Sequence, residues 1–348
     1  MVGAGVGGRR TVMSPAACLA ADRNERGAAL IIVLGLVALI SVWAVTAAYE
    51  DMLSLRRAEN RQNEIRAEQA SQSALILAAR ILREDGRDSQ TDDLDESWAQ
   101  DTPPFTIDQG SVLGRIVDAN RFINLNMLVD QQGKAVPAVE KQVRALFASL
   151  ELDAGLVDAL IDWMDADDRE HGVNGAEDSA YYDQDYRVKN ARLDRWQELR
   201  LVRGFDAKIV NRLAAVAVVR DVPPGGFSAV NINTASARVL MAIMPDMTAA
   251  DAEIFLAERP FDSVAQALQN RPWAAGVNQR YLSVVSDIFM VRTEARFGRV
   301  VLREKFMVQR LSGGAQAGKI MLLSAARAMQ PIDAHATALS PSNTGASQ

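Results

Sequence analysis

The chain of 348 residues has one cysteine, Cys18, and two histidines, His171 and His335. No disulfide can brace anything after Cys18, even in an oxidising compartment, so a fold built from the rest needs another staple. G-x-S-x-G, P-loop and H-E-x-x-H patterns are absent, which leaves no recognisable nucleophile elbow, phosphate cradle or zinc-protease pair. A basic excess is lacking as well: 38 Lys and Arg face 44 Asp and Glu. Residues 1–27 hold four of those basic and two of those acidic residues, so the remainder carries 34 against 42, a net charge of −8. That balance argues against a phosphate backbone as partner. What is present is ample apolar material, 49% of residues at a mean hydropathy of −0.04, enough for about two packed domains.

The longest uncharged run lies in "RGAALIIVLGLVALISVWAVTAAYEDM", residues 26–52. Its 21 residues from Ala28 to Ala48 span roughly 30 Å as a helix, the thickness of a bilayer's hydrocarbon core. In a secretory signal the small cleavage residue follows the apolar stretch, whereas here Gly27 precedes it; "AACLAA" at 16–21 has no apolar stretch before it. Arg9, Arg10, Arg23 and Arg26 outnumber Asp22 and Glu25 ahead of the run, which holds the N-terminus in the cytoplasm and sends the bulk of the chain across. Met1 and Met13 both remain open as starts. From Tyr49 to Asp85 there is no Pro or Gly, so the anchor is expected to continue as one helix, amphipathic through Ala67, Ala70, Ala74, Leu77, Ala78, Ile81 and Leu82 and ended by Gly86 and "DSQTDDLDE".

These features together resemble the type IV prepilins and the pseudopilins of type II secretion. The resemblance implies that a prepilin peptidase cuts after Gly27 and methylates Ala28. Most members carry glutamate at the fifth mature position, where this chain has Ile32. A carboxylate there costs roughly 2.5–3.5 kcal/mol at mid-membrane, and the family is thought to keep it to pair with a neighbour's amine. Its loss resembles the minor pseudopilin K branch, which implies a non-enzymatic subunit that caps a pseudopilus with minor pseudopilins I and J, through the helix face from about Glu59 to Leu82, working with an inner-membrane secretion platform. The alternative is a permanently anchored single-pass periplasmic binding module.

Beyond the helix, "PFTIDQGSVLGRIVDANRFINLN" (104–126) reads as a β-hairpin broken by Gly110 and Gly114. "SDIFMVRTEARFGRVVLREKFMVQR" (286–310) alternates through Phe289, Val291 and Thr293, then Val300, Leu302, Phe306 and Val308 around a turn at Gly298. One antiparallel sheet is expected from the two blocks. Four helical patterns lie between them: "AVEKQVRALFASLEL", "AGLVDALIDWMDA", "ARLDRWQELRLV" and "AKIVNRLAAVAVV". The expected fold is α+β: a long N-terminal helix packed on a small antiparallel sheet, with a large all-α domain inserted. The corresponding boundaries are 1–27 leader, 28–85 helix, 86–126 first α/β part, 127–283 insertion, 284–329 second part and 330–348 a disordered tail.

The segment 162–185, "DWMDADDREHGVNGAEDSAYYDQD", sets nine carboxylates against Arg169 alone. From the residues, a bound cation and a solvated acidic loop both fit; hard oxygen ligands on a Gly-containing loop favour Ca²⁺ over Zn²⁺, and the spacing is not that of an EF-hand. The resemblance implies calcium, one or two ions, and matches Asp162, Asp165, Asp167, Glu177 and Asp178 to the family's acidic positions. Paired carboxylates can also serve glycoside hydrolysis, but a cation accounts for the cluster without a substrate. Residues 230–261 resemble a helix-hairpin-helix module; their turn is Pro245, Asp246 and Met247, where Asp246 would repel phosphate. Val239, Leu240, Ile243, Ile254 and Leu256 are expected to be its core.

Overall fold

The computed structural model describes residues 15–222, 227–311, 318–328 and 332. The leader before Pro15 and almost all of the tail from Gln330 therefore lie outside the described residues. The chain divides into two units, residues 1–63 and 64–348. Helix α1 runs Pro15–Asp88, two residues past Gly86, and from Gly27 onward is long and apolar enough to cross a membrane. In the first unit its stretch 28–48 presents Leu30, Ile31, Leu39 and Trp43 outward, as an apolar helix does when lipid is its intended solvent.

The second unit is built on a five-stranded antiparallel sheet. Its strands are β1 (Phe105–Ile107) and β2 (Gly110–Asp118), then, beyond the insertion, β7 (Ile288–Phe297), β8 (Val300–Arg310) and β9 (Ile320–Arg327), in the spatial order β1-β2-β7-β8-β9. Both expected blocks join this sheet. Gly114 does not interrupt β2, which pairs without a break from Gly110↔Phe297 to Asp118↔Phe289. Gly298 turns β7 into β8 at φ 55°, a left-handed backbone that suits glycine. Strand period two puts Phe289, Val291, Ala295 and Phe297 on one face with Leu302, Phe306 and Val308, all buried against the second half of α1. From α1 come Ala67, Ala70, Leu75, Ala78 and Leu82. Leu77, expected in that face, is 45% exposed, and Leu75 takes its place. Ser71 sits in the seam, hydrogen-bonded to Thr293 Oγ1 at 2.6 Å and Glu304 at 2.5 Å, so no buried hydroxyl is stranded.

The insertion is mostly helical but contains two short parallel strand pairs, a departure from the all-α expectation. Its elements are β3 (Ile123–Asn124), α2 (Pro137–Ser149), α3 (Leu156–Met164), α4 (Ala207–Leu213), β4 (Ala217–Val218), β5 (Val230–Asn231), α5 (Ala237–Ile243), α6 (Ala249–Ala257), α7 (Val264–Leu268) and β6 (Leu282–Ser283), with β3 beside β4 and β5 beside β6. Each pair joins a strand at the entry or exit of the insertion, β3 or β6, to one from its middle, β4 or β5, so backbone groups there find partners. "ARLDRWQELRLV" forms only the 3-10 turn Trp196–Leu201, and "AKIVNRLAAVAVV" splits into α4 and β4. One large core unites the region around Phe147, Leu160, Ile161, Leu240 and Phe255.

Helices α5 and α6 form the expected pair, but Ile254 is 56% exposed and Leu256 only partly covered; Ala252 and Phe255 face the core instead. At the start of α6, Thr248 and Asp251 cap one another reciprocally, with Asp251 accepting from Thr248 N at 3.0 Å. A carboxylate thus stands where a phosphate would need free N–H groups.

Candidate metal centre

Helix α3 supplies the first two acids because its apolar residues Val157, Leu160, Ile161 and Met164 anchor it in the core, fixing Asp158 and Asp162 one turn apart on the remaining side. The loop after α3 folds back over these two carboxylates. Asp162 accepts from His171 N at 2.8 Å and from Ala176 N, while Asp158 accepts from Asn174 N at 3.1 Å. A Cβ on Gly175 would lie 2.5 Å from Asp162 Oδ2, so the loop can close this tightly only with glycine there. Closure brings Glu177 to Asp162 and Asp165, with one oxygen from each acid within 4.8 Å of the others.

All three side chains are buried, at 0%, 6% and 6% exposure for Asp162, Asp165 and Glu177. Asp165 Oδ1 and both Glu177 oxygens have no hydrogen-bond partner among the described residues. Burial raises the Glu177 carboxyl to about 7, with Asp162 and Asp165 adding like charge, and raises Asp165 to about 6, with Asp162 and Asp167 adding like charge. Asp162 is also raised, by burial first, against the pull of its two backbone donors. The C-terminal end of α3 adds partial negative charge at the same place. Three desolvated carboxylates with three orphaned oxygens fit a hard cation that takes oxygen ligands, and calcium's flexible shell accommodates such a set.

Two other clusters of ionisable side chains each hold an arginine among their carboxylates. Glu140, Asp158 and His171 are bridged by Arg144, which binds both Glu140 and Asp158. Asp85, Asp92 and Glu96 surround Arg310, which reaches Asp85 at 2.7 Å and Asp92 at 2.5 Å and stacks 5.0 Å from the Phe289 ring. Of the five acids expected at the site, the structure gathers Asp162, Asp165 and Glu177. Asp167 turns outward to Arg169, 3.3 Å away, and Asp178 accepts from Val188 N at 3.1 Å.

The residues that tie the insertion to the sheet carried no sequence signal. Asp118, at the end of β2, accepts from Asn120 N at 2.7 Å, Ser286 Oγ at 2.7 Å, Asn231 Nδ2 at 3.2 Å and Thr234 Oγ1 at 2.5 Å. Asn120 and Ser286 flank the insertion while Asn231 and Thr234 lie within it, so one buried carboxylate closes its neck.

Two sequence models, both described as "Type II secretion system (T2SS), protein K", match residues 121–222 and 230–285. The Klebsiella pneumoniae type II secretion system protein K is 31% identical over 314 residues, 82% of this chain and 94% of that protein. The chain belongs to the type II secretion system protein K family. The Pseudomonas aeruginosa protein K is 34% identical over 234 residues, covering 64% of this chain and 68% of that one, and the Aeromonas hydrophila protein K is 31% identical over 335 residues, covering 84% and 99%. Among solved structures, a chain in the crystal structure of the GspK-GspI-GspJ complex of enterotoxigenic Escherichia coli superposes with a TM-score of 0.67 at 24% identity, covering 79% of this chain and all of that one. The fold is thus that of an α+β pseudopilin, and with its apolar N-terminal helix this protein K is a membrane-anchored component of protein secretion.

Proposed function

We propose that this protein K is a non-enzymatic minor pseudopilin that ends a pseudopilus as one copy in a ternary complex with minor pseudopilins I and J. The observation that carries this reading is the shared fold with a chain whose crystal structure is described as a complex with GspI and GspJ. In support, Ile32 offers no charge to pair with an incoming subunit's amine, and the insertion between β2 and β7 is too large to stack at every step of a thin fibre. The anchor lies in the inner membrane with its N-terminus cytoplasmic, after prepilin peptidase has cut between Gly27 and Ala28 and methylated the new end; the secretion platform receives it there. Asp162, Asp165 and Glu177 hold Ca²⁺, which serves as the staple of a domain without disulfides. Purified together, this chain and minor pseudopilins I and J are expected to elute as a 1:1:1 complex. Absence of association, or open-ended polymers of this chain alone, would sink the tip role.

A further inference from the structure

A second cavity lies at the junction of the sheet and the insertion, away from the acidic loop. Its volume is about 190 Å³, between Trp98, Ile116, Phe122, Ala214 and Met290. Its walls are apolar except for a few charged groups. Asp101 is paired with Arg115 at 2.7 Å, the Asp118 carboxylate is occupied by four donors, and Arg292 donates to the Ile332 carbonyl at 3.3 Å. Arg121 also lines the cavity, and among the described residues it has no carboxylate within ion-pair distance, only the Phe122 ring at 5.8 Å.

A second guanidinium stands close to it. Arg259 leans on the Phe255 ring at 5.8 Å, and its Nε and Nη2 are buried with no acceptor. Burial holds Arg121 below its ordinary value against the attraction of Asp118; Arg259 is lowered to about 9 by burial and, next, by the positive charge of Arg121. Two neighbouring like charges, one with buried nitrogens that lack acceptors and the other attracted only by Asp118, whose carboxylate already serves four donors, favour an anionic partner. The cavity offers that anion an apolar chamber with a guanidinium in its wall.

We propose that this cavity is a receptor for a protein segment that carries a carboxylate beside a large apolar side chain, the carboxylate meeting Arg121. That the occupant is a protein segment rests on the assembly role proposed above; the preference for a carboxylate does not.

The full chain in lipid nanodiscs, titrated with 4-fluoro-N-acetylphenylalanine and observed by fluorine NMR, tests it. Saturable broadening is expected, at least about tenfold tighter than for the matching amide. Arg121→Gln should abolish that preference while leaving the melting temperature unchanged or higher, and Arg121→Lys should restore part of it. Equal affinity for acid and amide, no saturable binding, or an undiminished preference in Arg121→Gln would each overturn the receptor. Displacement of the probe by purified minor pseudopilins I and J supports a protein occupant, whereas their association without displacement overturns that assignment. Should I and J fail to associate at all, the tip role falls, and the acid-over-amide comparison still decides the cavity.

Discussion

Glu177 and Asp165 carry the chemistry of the acidic loop, because their oxygens are the buried ones left without donors. A ligand that binds only the folded state stabilises it by about 2.7 kcal/mol at 100-fold excess over Kd, so Ca²⁺ in place of EDTA should raise the melting temperature of this protein. Glu177→Gln and Asp165→Asn should each remove most of that rise, whereas an equal rise with Mg²⁺ would speak for a merely solvated loop. The same residues set a pH dependence. Their folded values, about 7 and about 6, lie above the ordinary carboxylate range near 4. Between those limits the folded state binds more protons than the unfolded one, so in EDTA stability is fully present below about pH 4 and declines as pH rises to about 7. Calcium replaces the proton and should flatten the decline. Denaturation midpoints in EDTA at pH 5 and pH 7.5 check this: the lower midpoint belongs at pH 7.5, and Glu177→Gln should narrow the gap.

Between elements, two seams dominate. The helix–sheet seam rests on Leu82, fully buried against Phe289, Phe306 and Val308; Leu82→Ala should cost about 2–5 kcal/mol, read as a lowered urea midpoint at unchanged slope. The neck of the insertion rests on Asp118, whose removal takes the acceptor from the Thr234 and Ser286 hydroxyls and from Asn120 N. Asp118→Ala is expected to destabilise by about 3 kcal/mol, and Asp118→Asn by less, since it keeps an acceptor oxygen. A loss below about 1 kcal/mol for Asp118→Ala would mean that the neck is held elsewhere. The helix was legible in the sequence and its buried face nearly so. The continuous apolar stretch from Ala74 to Ala79 supports more than one helical stripe, and only contact with β7 and β8 selects Leu75 over Leu77.

For the whole molecule, the order of events follows from the N-terminus. Mass spectrometry of membrane-purified protein should find a chain beginning at N-methylated Ala28, and a bulky residue at Gly27 should leave the longer form; an intact leader in a host with active prepilin peptidase would remove the processing proposal. The anchor and its helical continuation were legible in the sequence alone, because membrane thickness and helix geometry convert a run of apolar residues directly into a span. The strand blocks were equally plain, since alternation of buried and exposed positions is a local property of a pleated chain. A local acidic excess likewise marked the loop that carries the carboxylate cluster. Tertiary structure alone decided which acids turn inward: a neighbouring guanidinium neutralises Asp158 and another sits between Asp85 and Asp92, while Asp162, Asp165 and Glu177 have none. It also decided that Asp118 would close the neck and that Arg121, among the described residues, would have no carboxylate within ion-pair distance. The closure of the neck depends on partners more than a hundred residues apart in the chain, and on the dielectric that packing creates around them, neither of which any local pattern encodes.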